Sequence, residues 1–265
     1  MNHAAPDRPT GYEPLNALKP VGPSIWLIDG PAQSFYGLPF STRATVVRLE
    51  NGGLWIHSPT RLTDALRAEL DELGPVRHLI APNWIHYAHI ADWQAAYPDA
   101  TAWAAPGVAQ RAAKKGLTLS FDHNLGDTAE PPWHNQIDQM IVEGSKVHRE
   151  AVFHHRASKT LILTDLIENF ETAKLPMWMR PLVWIAGIDD SDGKMPPDLR
   201  LSFRKKPLVD SIERMIAWAP DRLILAHGRW YDRGAVAELE RAFRRLLSDR
   251  RWDAALKTIE DNRDR

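Results

Sequence analysis

The sequence predicts an α/β protein in which two packed β-sheets carry helices on their outer faces. Three observations carry that expectation. Short apolar and β-branched runs recur along the chain, several joined by hairpin turns; single amphipathic helices punctuate them; and 265 residues with 44% hydrophobic content suffice for one large core.

Taken in order, Ser24–Ile28, Ala44–Leu49 and Leu54–His57 read as strands. Glu50-Asn-Gly-Gly53 joins the last two as a hairpin, because Asn and Gly supply the positive φ that tight turns need. Leu62, Ala65, Leu66, Leu70 and Leu73 fall at helical spacing, which predicts a helix over 63–73 stopped by Gly74-Pro75. A strand over 76–81 and a helix over 90–97 follow. Thr101–Ala104 reads as a strand, Pro106-Gly107 opens a short helix to Lys115, and 117–133 reads as loop. Strands are expected over 137–143 and 150–155, the second forming a hairpin with 160–165 through Arg156-Ala-Ser-Lys159.

The apolar stretch 175–188 contains Arg180 and two prolines. It is too short to span a bilayer, which takes about 20 apolar residues, so a buried helical segment is expected and no transmembrane segment. Asp189 to Pro197 is turn-rich. The final third reads as helix 208–219, strand 222–226 and helix 231–247, the last with the stripe Val236, Leu239, Phe243, Leu246 and Leu247. The expected organisation is a polar, Pro-rich extension over 1–23, one domain over 24–247, and a basic, frayed tail over 248–265.

Composition removes several function classes. The chain has 33 basic against 34 acidic side chains, so no overall field draws it to nucleic acid or an anionic surface. Arg241, Arg244 and Arg245 are interspersed with Glu238, Glu240 and Asp249 and read as a solvated helix face. With no cysteine, disulfides, thiolate nucleophiles and sulfur-ligated metals are excluded, and any metal must be held by His, Asp or Glu. Met1 to Pro23 lacks an apolar h-region and does not read as a secretory signal, so cytoplasm is the expected compartment. No Walker loop, Gly-x-Gly-x-x-Gly or Gly-x-Ser-x-Gly elbow occurs.

Chemistry concentrates in Ala81-Pro-Asn-Trp-Ile-His86-Tyr-Ala-His89-Ile-Ala-Asp92-Trp93, where a strand hands over to a helix. Imidazoles three residues apart share a face of a helical turn, and imidazole nitrogen suits zinc and iron. Partners are sought at the ends of other strand-like runs. Thr160-Leu-Ile-Leu-Thr-Asp165 ends in an acid, Arg222-Leu-Ile-Leu-Ala-His227-Gly228 ends in His-Gly, and His148 precedes a third run. Asn83 is a candidate cap for the helix that carries His86 and, with Trp84 and Trp93, which are candidates to make the pocket aromatic, a candidate binding residue. His57, His78, His123, His134, His154 and His155 are scattered and read as surface or core residues.

With these elements in order, the chain resembles the metallo-β-lactamase superfamily over residues 24 to 240, and within it an uncharacterised branch with an eroded metal motif. The family motif His-x-His-x-Asp-His falls on Trp84-Ile-His86-Tyr-Ala88-His89, so the second and last histidines match while Trp84 and Ala88 replace the first histidine and the aspartate. Thr164-Asp165 resembles the Gly-Asp that supplies a bridging carboxylate, Ala226-His227-Gly228 the late Gly-His-Gly, and Val147-His148-Arg149 the mid-chain Gly-His-Thr.

The resemblance implies an αββα four-layer sandwich of two mixed β-sheets. It also implies an at most mononuclear centre in which His89, Asp165 and His227 hold one zinc or iron ion, with His86 completing or orienting it. Asp165 and His86 are then the expected catalytic residues of a metal-dependent hydrolase acting on a small-molecule substrate. The alternative is a non-catalytic protein that has lost the metal, whose pocket, lined by Trp84, His86, Trp93 and His227, holds a ligand or partner. A His-rich cluster serves equally as a hydrogen-bonded core network, and at this stage both readings stand.

Overall fold

The computed structural model describes residues 12–35, 38–190 and 193–263. Residues 1–11 of the expected extension, 191–192 of the turn-rich loop and 264–265 of the expected tail lie outside the described residues.

One mixed sheet holds seven strands in sequence order: β1 (Lys19–Gly22), β2 (Ile25–Phe35), β3 (Leu38–Arg48), β4 (Leu54–His57), β5 (Val76–Ala81), β6 (Thr101–Ala104) and β7 (His123–Asn124). The first four are antiparallel, as hairpin connections dictate, and β4 to β7 are parallel. The crossovers are α1 (Asp64–Leu73) and α2 (Ile90–Ala96), and α3 (Val108–Lys114) follows β6. The second sheet runs β11-β10-β9-β8, built from β8 (Ile137–Ile141), β9 (Ala151–His155), β10 (Thr160–Ile162) and β11 (Arg222–Ile224). Its β8, β9 and β10 are antiparallel, and β11 adds parallel to β10.

The period-2 alternation of strands makes the layers. In β9, Ala151 and Phe153 join the core shared with the first sheet, whereas Val152 joins Leu161, Ile212 and Leu239 in a second core. That second core is covered by α6 (Lys205–Ala217), α7 (Ala235–Ala242) and α8 (Arg244–Arg263), which follow the shorter α4 (Arg180–Ala186) and α5 (Pro197–Ser202). The result is the expected sandwich of two mixed sheets between helical layers. Among the scattered histidines, His57, His78, His154 and His155 are buried, and burial pushes the imidazoles of His57, His78 and His155 down to about 3, 4 and 4.

Several local expectations need correction. Residues 19–22, read as part of an extension, form β1, because Lys19 and Pro20 pair with Leu27 and Trp26. The β2–β3 hairpin is far longer than the two apolar runs that announce it. A register shift between Gly30 and Gln33 bulges β2, and such a bulge bends and twists a hairpin. The segment 175–188 is not a buried helix. Leu175, Met179, Val183 and Ile188 pack with Phe170 and Phe40, while Trp184 (71% exposed) and Ile185 (76%) face outward. Pro197, read as the end of the turn-rich loop, instead opens α5, where its missing N–H in the first turn costs nothing. The expected single helix 231–247 is instead two. The first ends at Phe243, which turns into the core, and α8 then continues through the expected frayed tail, whose Ala, Leu, Lys and Arg favour helix.

Candidate metal centre

The parallel pairing of β10 with β11 positions the site. Ile162 lies opposite Ile224, so Asp165 and His227, each three residues further along, leave the sheet side by side. From the other sheet, the chain leaving β5 enters a turn at Asn83, whose Oδ1 accepts the backbone N–H groups of Ile85 (2.9 Å) and His86 (3.0 Å). The Asn83 Nδ2 donates to Thr164 Oγ1 (2.8 Å) and to Asp165 Oδ2. Asn83 is fully buried and ties the His86 turn to Asp165, so it is an orienting residue behind the site rather than part of the cavity wall.

Asp165 Oδ1 lies 3.2 Å from His86 Nε2 and 3.1 Å from His227 Nε2. These three side chains offer ligand atoms within 4.8 Å of one another. Each ring is held from behind: His86 Nδ1 lies 2.7 Å from Ser58 Oγ, and His227 Nδ1 lies 2.6 Å from the Ser41 carbonyl. A carbonyl only accepts, so His227 Nδ1 carries a proton. Its Nε2 then faces the Asp165 carboxylate either as an imidazolium N–H or across a shared cation. Without a cation, burial opposes the charged ring, but the hydrogen bond and charge of Asp165 outweigh it and raise the His227 pKa. Burial likewise opposes the Asp165 carboxylate, yet His86 and His227 hold it well below the usual range.

A second group, His148, Glu150 and Asp165, lies beside the first. Glu150 is fully buried and already accepts Thr164 N (2.7 Å) and Asp165 N (3.0 Å), with His148 Nε2 at 3.2 Å. Its carboxylate is committed to fixing the backbone that carries Asp165. Two imidazoles and one carboxylate, with the rings locked by outer hydrogen bonds, are a donor set that suits zinc or iron(II). The His86–Asp165–His227 group therefore fits an ion better than the His148 group does.

The structure sorts the other expected residues differently. His89 lines the same cavity but is not brought to Asp165 and His227. Its Nε2 meets Gln33 Nε2 and its Nδ1 lies 3.4 Å from Asp92. The reason is local: residues 86–89 form a turn and α2 starts at Ile90, so a spacing of three does not aim both rings at one point. Trp93 faces the core with Ile90, fully buried, and donates to the Thr60 carbonyl (2.7 Å) instead of lining the cavity. Trp84 does line it, and its indole turns sideways to donate to the Pro106 carbonyl (2.9 Å).

The cavity has a volume of about 540 Å³. Gln33, Leu38 and Phe40 of the bent β2–β3 hairpin contribute to its wall, as do Ile188 and Leu199. Phe40 packs edge-on against the His227 ring (5.2 Å between centroids). Sequence reasoning missed Gln33, Phe40, Arg111, Glu150 and Glu168. The only local sign of Glu168 is an acid that follows the apolar pair Leu166-Ile167. Glu168 is 8% exposed, and its carboxyl has no hydrogen-bond or ion-pair partner among the described residues.

The family model of a domain of unknown function (DUF4336) matches residues 23–184. In structure, the chain is similar to a metallo-β-lactamase from Pontibacter korlensis, with a TM-score of 0.57 at 13% identity over 87% of this chain and 98% of that one. It is similar to the DIM-1 metallo-β-lactamase exposed to ceftazidime, with a TM-score of 0.59 at 14% identity over 88% and 96%. The FIM-1 metallo-β-lactamase from Pseudomonas aeruginosa, in its mono-zinc form, gives 0.58 at 12% over 88% and 95%. At such identities the likeness shows the fold alone. Comparison with curated proteins finds no match to the chain.

Proposed function

The chain belongs to the family of the domain of unknown function DUF4336, built on a metallo-β-lactamase fold, and from that premise we propose that it is a metal-dependent hydrolase with a single-ion site. The observation that carries the proposal is the approach of two imidazole Nε2 atoms, 3.2 and 3.1 Å away, to one carboxylate oxygen of Asp165. His86, Asp165 and His227 would hold zinc or iron(II). The ion would supply Lewis acidity toward a carbonyl or phosphoryl oxygen of a small ester, thioester, amide or phosphoester. Ser41 and Ser58 keep the two rings aimed at Asp165, and Asn83 and Glu150 fix the carboxylate and its backbone. Burial pushes the Glu168 carboxyl up to about 8 despite the opposing pull of His227, so it holds a proton at the cavity wall near neutral pH. A proton held there is available to a leaving group.

Trp84 and Ala88, standing where the family motif has metal ligands, favour the alternative of a binding protein without chemistry. Metal content per chain separates the two. Protein prepared without affinity-tag metal and loaded with Zn²⁺ or Fe²⁺ is expected to hold about one equivalent. His86→Ala and His227→Ala lose it, while His89→Ala keeps it. Equal metal in the wild type and His227→Ala sinks the ligand assignment, and no uptake under any loading condition leaves the binding-protein reading.

A further inference from the structure

Trp84 cannot ligate a metal, yet its indole is fixed with care. Its Nε1–H donates to the Pro106 carbonyl, and a Cβ on the adjacent Gly107, whose φ is +93°, would lie 2.7 Å from Nε1. One helical turn on, Arg111 closes the first hydrogen bond of α3 onto the Gly107 carbonyl (3.0 Å), and its guanidinium lies over the Trp84 ring, 5.6 Å from the centroid. The indole face thereby orders the arginine at the cavity wall. Arg111 Nε is buried without a hydrogen-bond partner, and no carboxylate pairs with the guanidinium among the described residues.

The acids that share the cavity are placed elsewhere. Asp165 is engaged by His86, His227 and Asn83, Asp198 is exposed on α5, and the buried Glu168 forms no ion pair with Arg111 among the described residues. Among the residues that line the cavity, Arg111 is the one Lys or Arg. Leu38, Phe40, Ile85, Val147, Ile188 and Leu199 make the rest of the wall largely apolar. A planar fork of donors left open in an apolar cavity is matched by an oxyanion, which accepts two parallel N–H bonds. A buried donor without such a partner is a standing cost that an anionic ligand removes.

We propose that Arg111, presented by Trp84, is the anion-recognition point of this cavity, and that the ligand is an amphiphile with an apolar body and a carboxylate or phosphate group. The position that would hold the first motif histidine thus serves recognition instead of metal binding. The proposal rests on this cavity being the substrate site of the proposed hydrolase; it does not require the ion to be bound during recognition.

Calorimetric titration with octanoate, octyl phosphate and neutral 1-octanol tests it, on metal-free and zinc-loaded protein. The wild type binds at least one of the two anions more tightly than the alcohol. In Arg111→Met that anion weakens about tenfold or more while 1-octanol stays within about twofold. The anion that loses more identifies the source, carboxylate or phosphate. No preference for an anion in the wild type, an anion affinity within about twofold in the variant, or an equal fall for all three probes overturns the proposal. Arg111→Gln serves if Arg111→Met does not fold, as judged by urea unfolding. Zinc stoichiometry in the same variants is expected to match the wild type, so loss of the metal reading is seen separately from loss of this one.

Discussion

Glu168 follows Asp165 by three residues and is 8% exposed, and its carboxyl has no hydrogen-bond or ion-pair partner among the described residues, so burial pushes that carboxyl from 4.5 up to about 8. A raised carboxyl pKa means that the fold favours the protonated form. Its contribution to stability is fully present below the unfolded value near 4.5 and is lost as pH rises through the folded value near 8. Glu168→Gln keeps the shape and removes the titration. In urea unfolding of metal-free protein, the variant is expected to match the wild type near pH 4.5 and to exceed it by about 1–3 kcal/mol near pH 9. A difference that does not change with pH would place the carboxylate in water or against a cation. If the held proton also serves a leaving group, the same substitution lowers turnover without lowering metal content.

At the scale of elements, the site depends on β11 ending where β10 ends. Gly228 makes that possible: it sits at φ +81°, and a Cβ there would lie 2.0 Å from the Asn169 carbonyl oxygen and 2.3 Å from its carbon. Both are backbone atoms and cannot swing away. Gly228→Ala is expected to cost about 2–4 kcal/mol in urea unfolding and to weaken metal uptake through the neighbouring His227, whereas an unchanged midpoint would mean that the 169–170 backbone yields freely. These elements were legible in the sequence because short apolar runs ending in Asp165 and His227 announce buried strands with polar ends. The choice between His86 and His89 was not legible. Spacing suggests a shared face, but only the Asn83 bonds to the Ile85 and His86 amides show that the backbone is a turn there. Nor did any pattern announce the bent hairpin, because a bulge at Gly30–Gln33 depends on register with β3 and not on local composition. The direction of the Trp84 indole was hidden for the same reason, since Pro106 and Gly107 reach it only through the fold.

Across the whole molecule, the two halves of the site belong to different sheets, and β3 grips the end of β11 to hold them in register. Ser41 accepts His227 Nδ1 at its carbonyl and Gly228 N at its Oγ (3.1 Å). Two residues along, Arg43 is 3% exposed and donates Nη1 to the Leu225 (2.6 Å) and Gly228 (2.9 Å) carbonyls. Its Nε and Nη2 lie 2.8 Å from Asp29 Oδ1, across the strand pair, and Lys19 reaches Asp29 Oδ2 at 2.8 Å. Removing the guanidinium strands a buried carboxylate with one remaining cation and leaves two carbonyls without that donor. Breaking such a pair from one side costs about 3–5 kcal/mol, whereas removing both charges costs much less. Arg43→Met is therefore expected to lower stability by that amount and to weaken metal binding, because the 225–228 segment loses its anchor to the first sheet. Asp29→Asn combined with Arg43→Met should recover part of the stability but not the metal affinity, since the carbonyls stay undonated. A double-mutant cycle read by urea unfolding and zinc titration checks both parts. Strict additivity in stability, or an Arg43→Met variant with wild-type zinc affinity, would show that Ser41 alone positions His227 against Asp165.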